Sequence, residues 1–345
     1  MWCCEHNYVS LTSPAMSPGQ SAPQTLPDEP RVLVAPTTRA DRIFRGVNTT
    51  AALTSLLLMS LIAIFLFKQA QPALSKVGFK FFTTFEWLPD DEVAVYGIGA
   101  MLFGTVVAAL IALVAAVPIS LGTALFINEY APLKVRRVLV TLVDLLAAIP
   151  SLIFGLWGLS YLQPKLDGPA LWLSEWVSFI PIFKTQVPIF GSSLFVSGLV
   201  LALMIVPIIT SVSLAVMAEV PRVFCEAALA LGGTKAGMIK EVVWPFSKGG
   251  LIGASMLGLG RALGETIAVA LILSNDFRIP DNVLSPGGAS VAGTIALKFP
   301  EAGDNGRSAL IAAGLVLFIF TLLVNVVARS VVKRAKAPAG AKGAK

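Results

Sequence analysis

"GLGRALGETIAVALIL", residues 258–273, is the stretch on which the reading of this chain turns. Its apolar density is that of a membrane span, yet Arg261 and Glu265 stand inside it. A charge at the bilayer centre costs about 2.5–3.5 kcal/mol even on lenient insertion scales, so the pair calls for mutual neutralisation or for a function. A helix starting near Gly249 puts residue 261 roughly 18 Å along its axis, close to mid-bilayer. On such a continuous helix Ala254, Gly258, Arg261, Gly264, Glu265 and Ala268 share one arc, opposite Leu259, Ile267 and Leu271. Arg261 and Glu265 are four residues apart and are expected to meet. Small neighbours leave open space beside them and let another helix come close. Either the pair neutralises itself and binds helices together, or the arc lines a water-accessible path where the guanidinium meets an anion. The second reading is preferred, because a packed apolar replacement would serve the structural purpose as well. A planar fork of donors suits a tetrahedral oxyanion.

The rest of the composition agrees with a membrane solvent. Of 345 residues, 56% are hydrophobic and 13% charged, with a mean hydropathy of +0.80, more apolar surface than a soluble domain of this length can bury. Apolar runs long enough to cross a bilayer fall near 47–67, 97–127, 138–160, 191–217, 249–273 and 308–329. The expected fold is therefore all-α and polytopic, with six spans inside a permease domain at 41–333. Residues 1–40, rich in Pro, Ser and Thr, read as a disordered tail, and 334–345 as a basic one. "ALWLSEWVSFIPIF", 170–183, holds Glu175 and ends near Pro181, so it is expected to lie at the outer interface rather than to cross. Asp144, in the third run, is expected to be an interfacial residue or a helix-start contact.

Lys and Arg set the orientation. Arg31, Arg39, Arg42 and Arg45 precede the first run; Lys134, Arg136 and Arg137 follow the second; Arg222, Lys235, Lys240 and Lys248 lie between the fourth and fifth; and a basic tail closes the chain. The positive-inside rule puts both termini in the cytoplasm. The +6 net charge then meets anionic lipid, not nucleic acid, since no aromatic and basic residues interleave as a stacking platform. One His and three Cys (Cys3 and Cys4 in the tail, Cys225 in a polar loop) point to neither a metal site nor a disulfide framework. The glycines of "GLGRALGET" follow no strand, and no Gly-Lys-Ser/Thr is present, so the chain is expected to hold no nucleotide, cofactor or catalytic residue of its own.

Between the fourth and fifth runs lies an unusually long loop, 218–248, with "EVPRVFCEAALALGGTKAGMIKEVVWPFSK" at 219–248. It reads as a helix turn starting at Glu226, Ala227 and Ala228, a change of direction at Gly232-Gly233, and a second amphipathic stretch stopped by Pro245. Ile239, Val242 and Val243 share one face of that stretch and are expected to offer a free apolar edge to a groove on another protein.

Glu226, Ala227, Ala228, Gly232 and Pro245 resemble the "EAA" loop of ABC importer permeases, whose coupling helix sits in a cleft of the cytoplasmic ATPase. "GLGRALGETIAVALI", "LFINEYAP", "LLAAIPSLIFGLWGL", "MIVPIITSVS" and "SALIAAGLVLFIFTLLVN" resemble the phosphate-specific transport permeases, over about residues 40–333 and closer to the C subunit than to the A subunit. The resemblance implies the type I importer permease fold. It further implies a second, A-type permease, two ATPase copies that bind ATP and Mg, and an extracytoplasmic phosphate-binding protein delivering its cargo to the outer loops near 85–92 and 276–305. It would place Arg261, Glu265 and Thr266 on the translocation path and Glu226, Ala227, Ala228, Gly232 and Pro245 on the ATPase. Molybdate and sulfate permeases share the Arg-Ala-Leu-Gly-Glu run, so another oxyanion is the alternative; Thr266 and the residues after it lean to phosphate. A secondary anion transporter or a membrane scaffold remains open from the residues alone; the first would leave the loop at 226–245 without a purpose, and the second would tolerate neutral substitution of both charges together.

Overall fold

The computed structural model describes residues 38–91, 94–176, 191–280 and 282–336. The tail up to residue 37 with Cys3 and Cys4, residues 177–183 of the expected interfacial stretch, and 337–345 of the basic tail lie outside the described residues. The chain divides into two units, Met1–Leu57 and Leu58–Lys345. In the first, helix α1 (Arg39–Val77) begins in a reciprocal cap: the Thr38 N–H donates to Asp41 Oδ2 (3.0 Å) and the Asp41 N–H to Thr38 Oγ1 (3.3 Å). The helix thus starts just ahead of the expected boundary at 41.

From Leu58 onward the second unit is built on two tightly packed helices, α3 (Gly99–Leu125) and α7 (Leu194–Ala218). Without a hydrophobic force between helices in lipid, close approach of small residues has to hold them. Ala108, Ala109, Ala112 and Ala116 on α3 supply it against Leu201, Ala202 and Ile205 on α7. At Gly198 the approach is closest, since a Cβ there would lie 2.6 Å from the Ile111 side chain. Ser120 Oγ on α3 also donates to the Val206 carbonyl (3.1 Å), next to Pro207.

Among the described residues four helices are long and apolar enough to cross a membrane: α1, α3 with the π-helical turn π1 (Phe126–Tyr130), α7, and α13 (Asp304–Lys336) over Asp304–Ser330. The third expected span is not one helix. It is α4 (Leu133–Ala147) followed by α5 (Ser151–Trp157), bent by 86° across a break that ends at Pro150, and counts as a fifth crossing if the pair is one span. Pro150 has no N–H to continue α4 and holds the residue before it out of the helical region. The chain continues through π2 (Gly158–Leu162) into α6 (Gln163–Trp176), which takes up the start of the stretch expected at the interface. The fifth expected span, 249–273, is also interrupted: α10 (Trp244–Gly264) ends before Glu265 and α11 (Ile267–Ile272) restarts after it. The second halves of the two broken spans pack on each other, so closely that a Cβ on Gly155 would lie 2.8 Å from the Ala268 Cα.

Away from the loop at 218–248, α2 (Lys80–Thr83) leads into a two-stranded hairpin of β1 (Trp87–Leu88) and β2 (Val95–Tyr96). Trp87 stacks on Phe277, and the buried Tyr96 donates to the Ala73 carbonyl (3.1 Å). Asp90 accepts from the Gly303 and Gly306 N–H groups (3.1 and 2.9 Å) at the start of α13, and α12 (Val291–Lys298) begins with Ser290 accepting from Gly293 N (3.1 Å). The stretches near 85–92 and 276–305 thus come together at one end, around a cleft of about 240 Å³.

Gly198→Leu is expected to destabilise the second unit by about 1–3 kcal/mol through overpacking against Ile111, read as a lower unfolding midpoint in detergent.

Candidate functional site

Arg261 sits in the last turn of α10 with its side chain exposed on the surface of the chain. Gly250 lies against Val216 and Gly258 against Ile209, so α10 runs antiparallel to α7, and Arg261 is about 17 Å beyond Gly250 along the helix. The face is not the expected arc. Ala254 and Gly258 are buried toward α7, whereas Leu257, Arg261 and Gly264 form the outward stripe. A Cβ added to Gly253 or Gly264 would meet nothing within 4 Å, which leaves that stripe open to a second helix.

The expected contact between Arg261 and Glu265 is corrected. Glu265 has an extended backbone (φ −69°, ψ 131°), so the helix that would have aligned the two has ended. Its carboxylate turns forward and accepts from the Ala268 N–H (3.4 Å), at the start of α11. Among the described residues Arg261 makes no ion pair and no hydrogen bond; the one ion pair is Lys240 with Glu241, both exposed. Thr266 is the residue before α11, and its hydroxyl donates back to the Gly264 carbonyl (3.3 Å). Arg261, Glu265 and Thr266 are therefore brought to one break in the backbone, without pairing.

Two further polar groups stand in these helices, Asn325, which a reading by charge and spacing misses, and Asp144, whose setting differs from the one expected. Asn325 Oδ1 on α13 is 4.0 Å from where a Cβ on Gly260 would stand, which puts an uncharged amide one residue from Arg261. Asp144 is at the end of α4, not at a helix start, and its Oδ1 accepts from Ser211 Oγ on α7 (3.1 Å). Neither contact is legible in the sequence, because each joins residues of two helices far apart in the chain.

The second place is the loop. Glu226, Ala227 and Ala228 lie within α8 (Arg222–Ala230), where Glu226 and Ala227 are exposed. Gly232 is left-handed (φ +83°), and its N–H reaches the Leu229 carbonyl (3.0 Å) while that of Gly233 reaches Ala228 (3.2 Å). This is a glycine cap in which both glycines are needed, because a Cβ on Gly233 would lie 2.6 Å from the Ala228 oxygen. Thr234 then caps α9 (Lys235–Met238) by accepting from Gly237 N (3.1 Å).

Two expectations for the loop are revised. Pro245 stops nothing: it falls in the first turn of α10, directly after the π-helical segment π3 (Ile239–Val243), at a position where its missing N–H is tolerated. Ile239, Val242 and Val243 offer no free edge either, because they pack inward on Ala124, Ile127, Met217 and Val220. The most exposed apolar side chains of the loop are instead Val223, Phe224 and Leu231, on and just beyond α8, with Leu231 90% exposed. Cys225, on the other side of α8, is half-buried beside a polar cleft of about 360 Å³ formed with Glu129, Arg136, Arg222 and Glu226. Burial pushes its thiol up, the Glu129 and Glu226 carboxylates add to this, and Arg222 opposes it.

An interrupted, charge-bearing span beside a capped loop helix is the architecture of an importer's membrane component. Residues 116–337 match the family described as "Binding-protein-dependent transport system inner membrane component", and the chain belongs to that family. It is a multi-pass inner-membrane protein of the permease class, which is not itself a catalyst.

Among its relatives, phosphate transport system permease protein PstC 2 of Mycobacterium tuberculosis is 41% identical over 313 residues, covering 90% of this chain and 97% of that protein. PstC of Xylella fastidiosa is 40% identical over 299 residues (86% of this chain, 91% of that protein), and PstC of Haemophilus influenzae 38% over 300 (85% and 93%). Among solved structures, a chain of a bacterial ABC transporter involved in the import of the acidic polysaccharide alginate superposes with a TM-score of 0.52 at 18% identity, covering 86% of this chain and 99% of that one. That likeness bears on the fold alone.

With Cys3 and Cys4 replaced by Ser, alkylation of Cys225 by iodoacetamide is expected to be slower at pH 8 than that of an exposed cysteine, because a raised thiol holds less thiolate there. Glu226→Gln is expected to accelerate it and Arg222→Ala to slow it further, read as labelling rates by mass spectrometry.

Proposed function

We propose that this chain is one of two permeases of an ATP-driven importer that carries inorganic phosphate into the cell, with six spans and both termini in the cytoplasm. The observation that carries the reading is Arg261, an exposed guanidinium within an apolar run with no protein partner among the described residues, in a chain about 40% identical to proteins named for phosphate transport. Hydrocarbon does not tolerate a bare cation, so a wet path regularly visited by an anion accounts for it better than lipid does. The fork of guanidinium donors matches two oxygens of a tetrahedral oxyanion. Thr266 adds a hydroxyl at the same break. Glu265 shapes the path by capping α11, and a carboxylate there can also accept from the protonated oxygen of monohydrogen phosphate.

The outward stripe of Leu257, Arg261 and Gly264, with its open glycines, suits a second, A-type permease that supplies the opposite wall. Helix α8 docks on an ATPase of the cytoplasmic pair through Glu226, Ala227 and the exposed Val223, Phe224 and Leu231; Gly232 sets the turn behind it, and Pro245 opens the helix that receives the motion. ATP and Mg are bound by those partners. An outer phosphate-binding protein delivers to the hairpin and the 276–305 segment. Molybdate or sulfate is the alternative cargo, since the Arg-Ala-Leu-Gly-Glu run serves any tetrahedral oxyanion.

In membrane vesicles containing the assembled complex, Arg261→Gln is expected to lower vanadate-sensitive uptake of labelled phosphate by at least about tenfold with assembly unchanged, the loss of a charge-assisted fork being of that order. Arg261→Lys should fall between. Full uptake by Arg261→Gln removes the guanidinium from the transport path, and uptake inhibited by molybdate or sulfate at lower concentration than by phosphate reassigns the cargo.

A further inference from the structure

We propose that Lys235 is a positioning residue of the transport cycle. It fastens the loop at 218–248 to the end of the second span, so that a displacement of the loop is delivered to that span as well as to the fifth. This rests on the importer reading above, and it alters the route by which the motion enters the membrane. By covalent connection the loop is joined only to α7 and α10.

The ammonium of Lys235 donates to the Glu129 carbonyl in the last turn of π1 and also lies 4.6 Å over the centre of the Tyr130 ring. The carbonyls at a helix C-terminus carry partial negative charge and lack partners, and an aromatic face attracts a cation, so two independent attractions act on one group. The connection continues beyond Glu129. Asn128 Nδ2 donates to Glu129 Oε1 (2.8 Å), and the Arg136 guanidinium, in the first turn of α4, donates to Asn128 Oδ1 (3.0 Å). A run of hydrogen bonds thus passes from the loop to the second span and on to the third.

Beneath these bonds, Ile127 of π1 packs in one apolar cluster with Met238, Val243, Met217 and Val220. The loop cannot slide over π1 without breaking both the polar clamp and this packing, so loop and span end move together. The structural alternative is an exposed cation that merely decorates the surface. Exposed pairs of that kind add little to stability, so a substitution should spare the fold and leave its effect on coupling readable.

The measurement is phosphate taken up per ATP hydrolysed by the complete complex in vesicles. Lys235→Met is expected to assemble with its ATPase, keep its unfolding midpoint and continue to hydrolyse ATP. Its uptake per ATP should fall about three- to fivefold, the scale of a modest coupling contact. Lys235→Arg, which can make both contacts, is expected to restore most of the ratio, and Tyr130→Leu to lower it less than Lys235→Met does. An unchanged ratio in Lys235→Met overturns the proposal, as does a parallel loss of hydrolysis and uptake, which would mark a docking role. Should Lys235→Met not assemble, Lys235→Gln supplies the ratio, with the charge removed and a donor kept. If the unsubstituted complex shows no ATP-dependent uptake, it is the importer reading that falls, a result distinct from any difference between variants.

Discussion

Inside hydrocarbon a polypeptide has almost nowhere to stop being helical, because each unpaired backbone group there costs several kcal/mol. Two of the apolar runs expected to cross stop being helical, one between α4 and α5 and one between α10 and α11. Non-helical backbone at such depth is tolerated where it is buried in protein or lines a water-filled cavity. The breaks use both solutions. The continuing halves α5 and α11 bury one side of the interruption against each other, where Gly155 meets Ala268. Glu265 satisfies one N–H of the new helix and Thr266 one carbonyl of the old. The other side, with Arg261, stays open. A span that merely anchored the protein would have no use for such an arrangement, so the cost in backbone order is itself an argument for a pathway.

At the loop end the constraint is reversed, and backbone polarity is used to make something rigid. The glycine cap on α8, the Thr234 cap on α9 and the run from α9 through π3 into α10 leave no slack between Gly232 and the membrane. Two π-helical turns, π1 and π3, lie at this level and pack into one cluster through Ile127 and Val243. Such turns carry an extra residue that re-aims the side chains after it. Here π3 turns Val243 into the cluster just ahead of Pro245, which explains why a proline that reads as a terminator in the sequence instead opens the longest part of the broken span.

How much of this is legible in the sequence follows from what each signal measures. Hydropathy measures solvent, and it locates six apolar runs; it is blind to direction, so the 86° bend within 138–160 is invisible to it even with Pro150 in view. Spacing measures angle only while the helix persists. Arg261 is legible as a charge inside an apolar run because that needs only the sequence. Its lack of a partner is not, because the i,i+4 rule assumes a helix through Gly264-Glu265-Thr266, where the glycine and the β-branched threonine are both poor helix formers. The same assumption puts Ala254 and Gly258 on the arc of Arg261, although small residues serve equally to let α7 approach. In the loop, Glu226-Ala227-Ala228 and Gly232 are visible as a pattern. The exposed edge reads as Ile239 and its neighbours instead of Val223, Phe224 and Leu231, because amphipathicity says that a helix has two faces and not which one the rest of the protein covers.

The positions of the two places along α10 tie them into one device. Pro245 and Arg261 lie on one helix, about 24 Å apart along its axis, with no break between them. A rigid rod of that length transmits a push at its N-terminal end, so in the proposed importer what the Lys235 clamp does not pass to the second span reappears at the guanidinium or is taken up by the α7 contacts at Gly250 and Gly258. Those contacts set glycine against Val216 and Ile209, while Leu251 and Leu263 of α10 are buried in the clusters that α7 also enters, so the rod is seated on α7 by side chains as well as by close approach. The interruption at Glu265 ends α10 just after Arg261, and α11 beyond it packs on α5. In the proposed importer the guanidinium would then stand between a helix joined to the loop and one held by its neighbour, where a path that opens first to one side and then to the other needs its charged group.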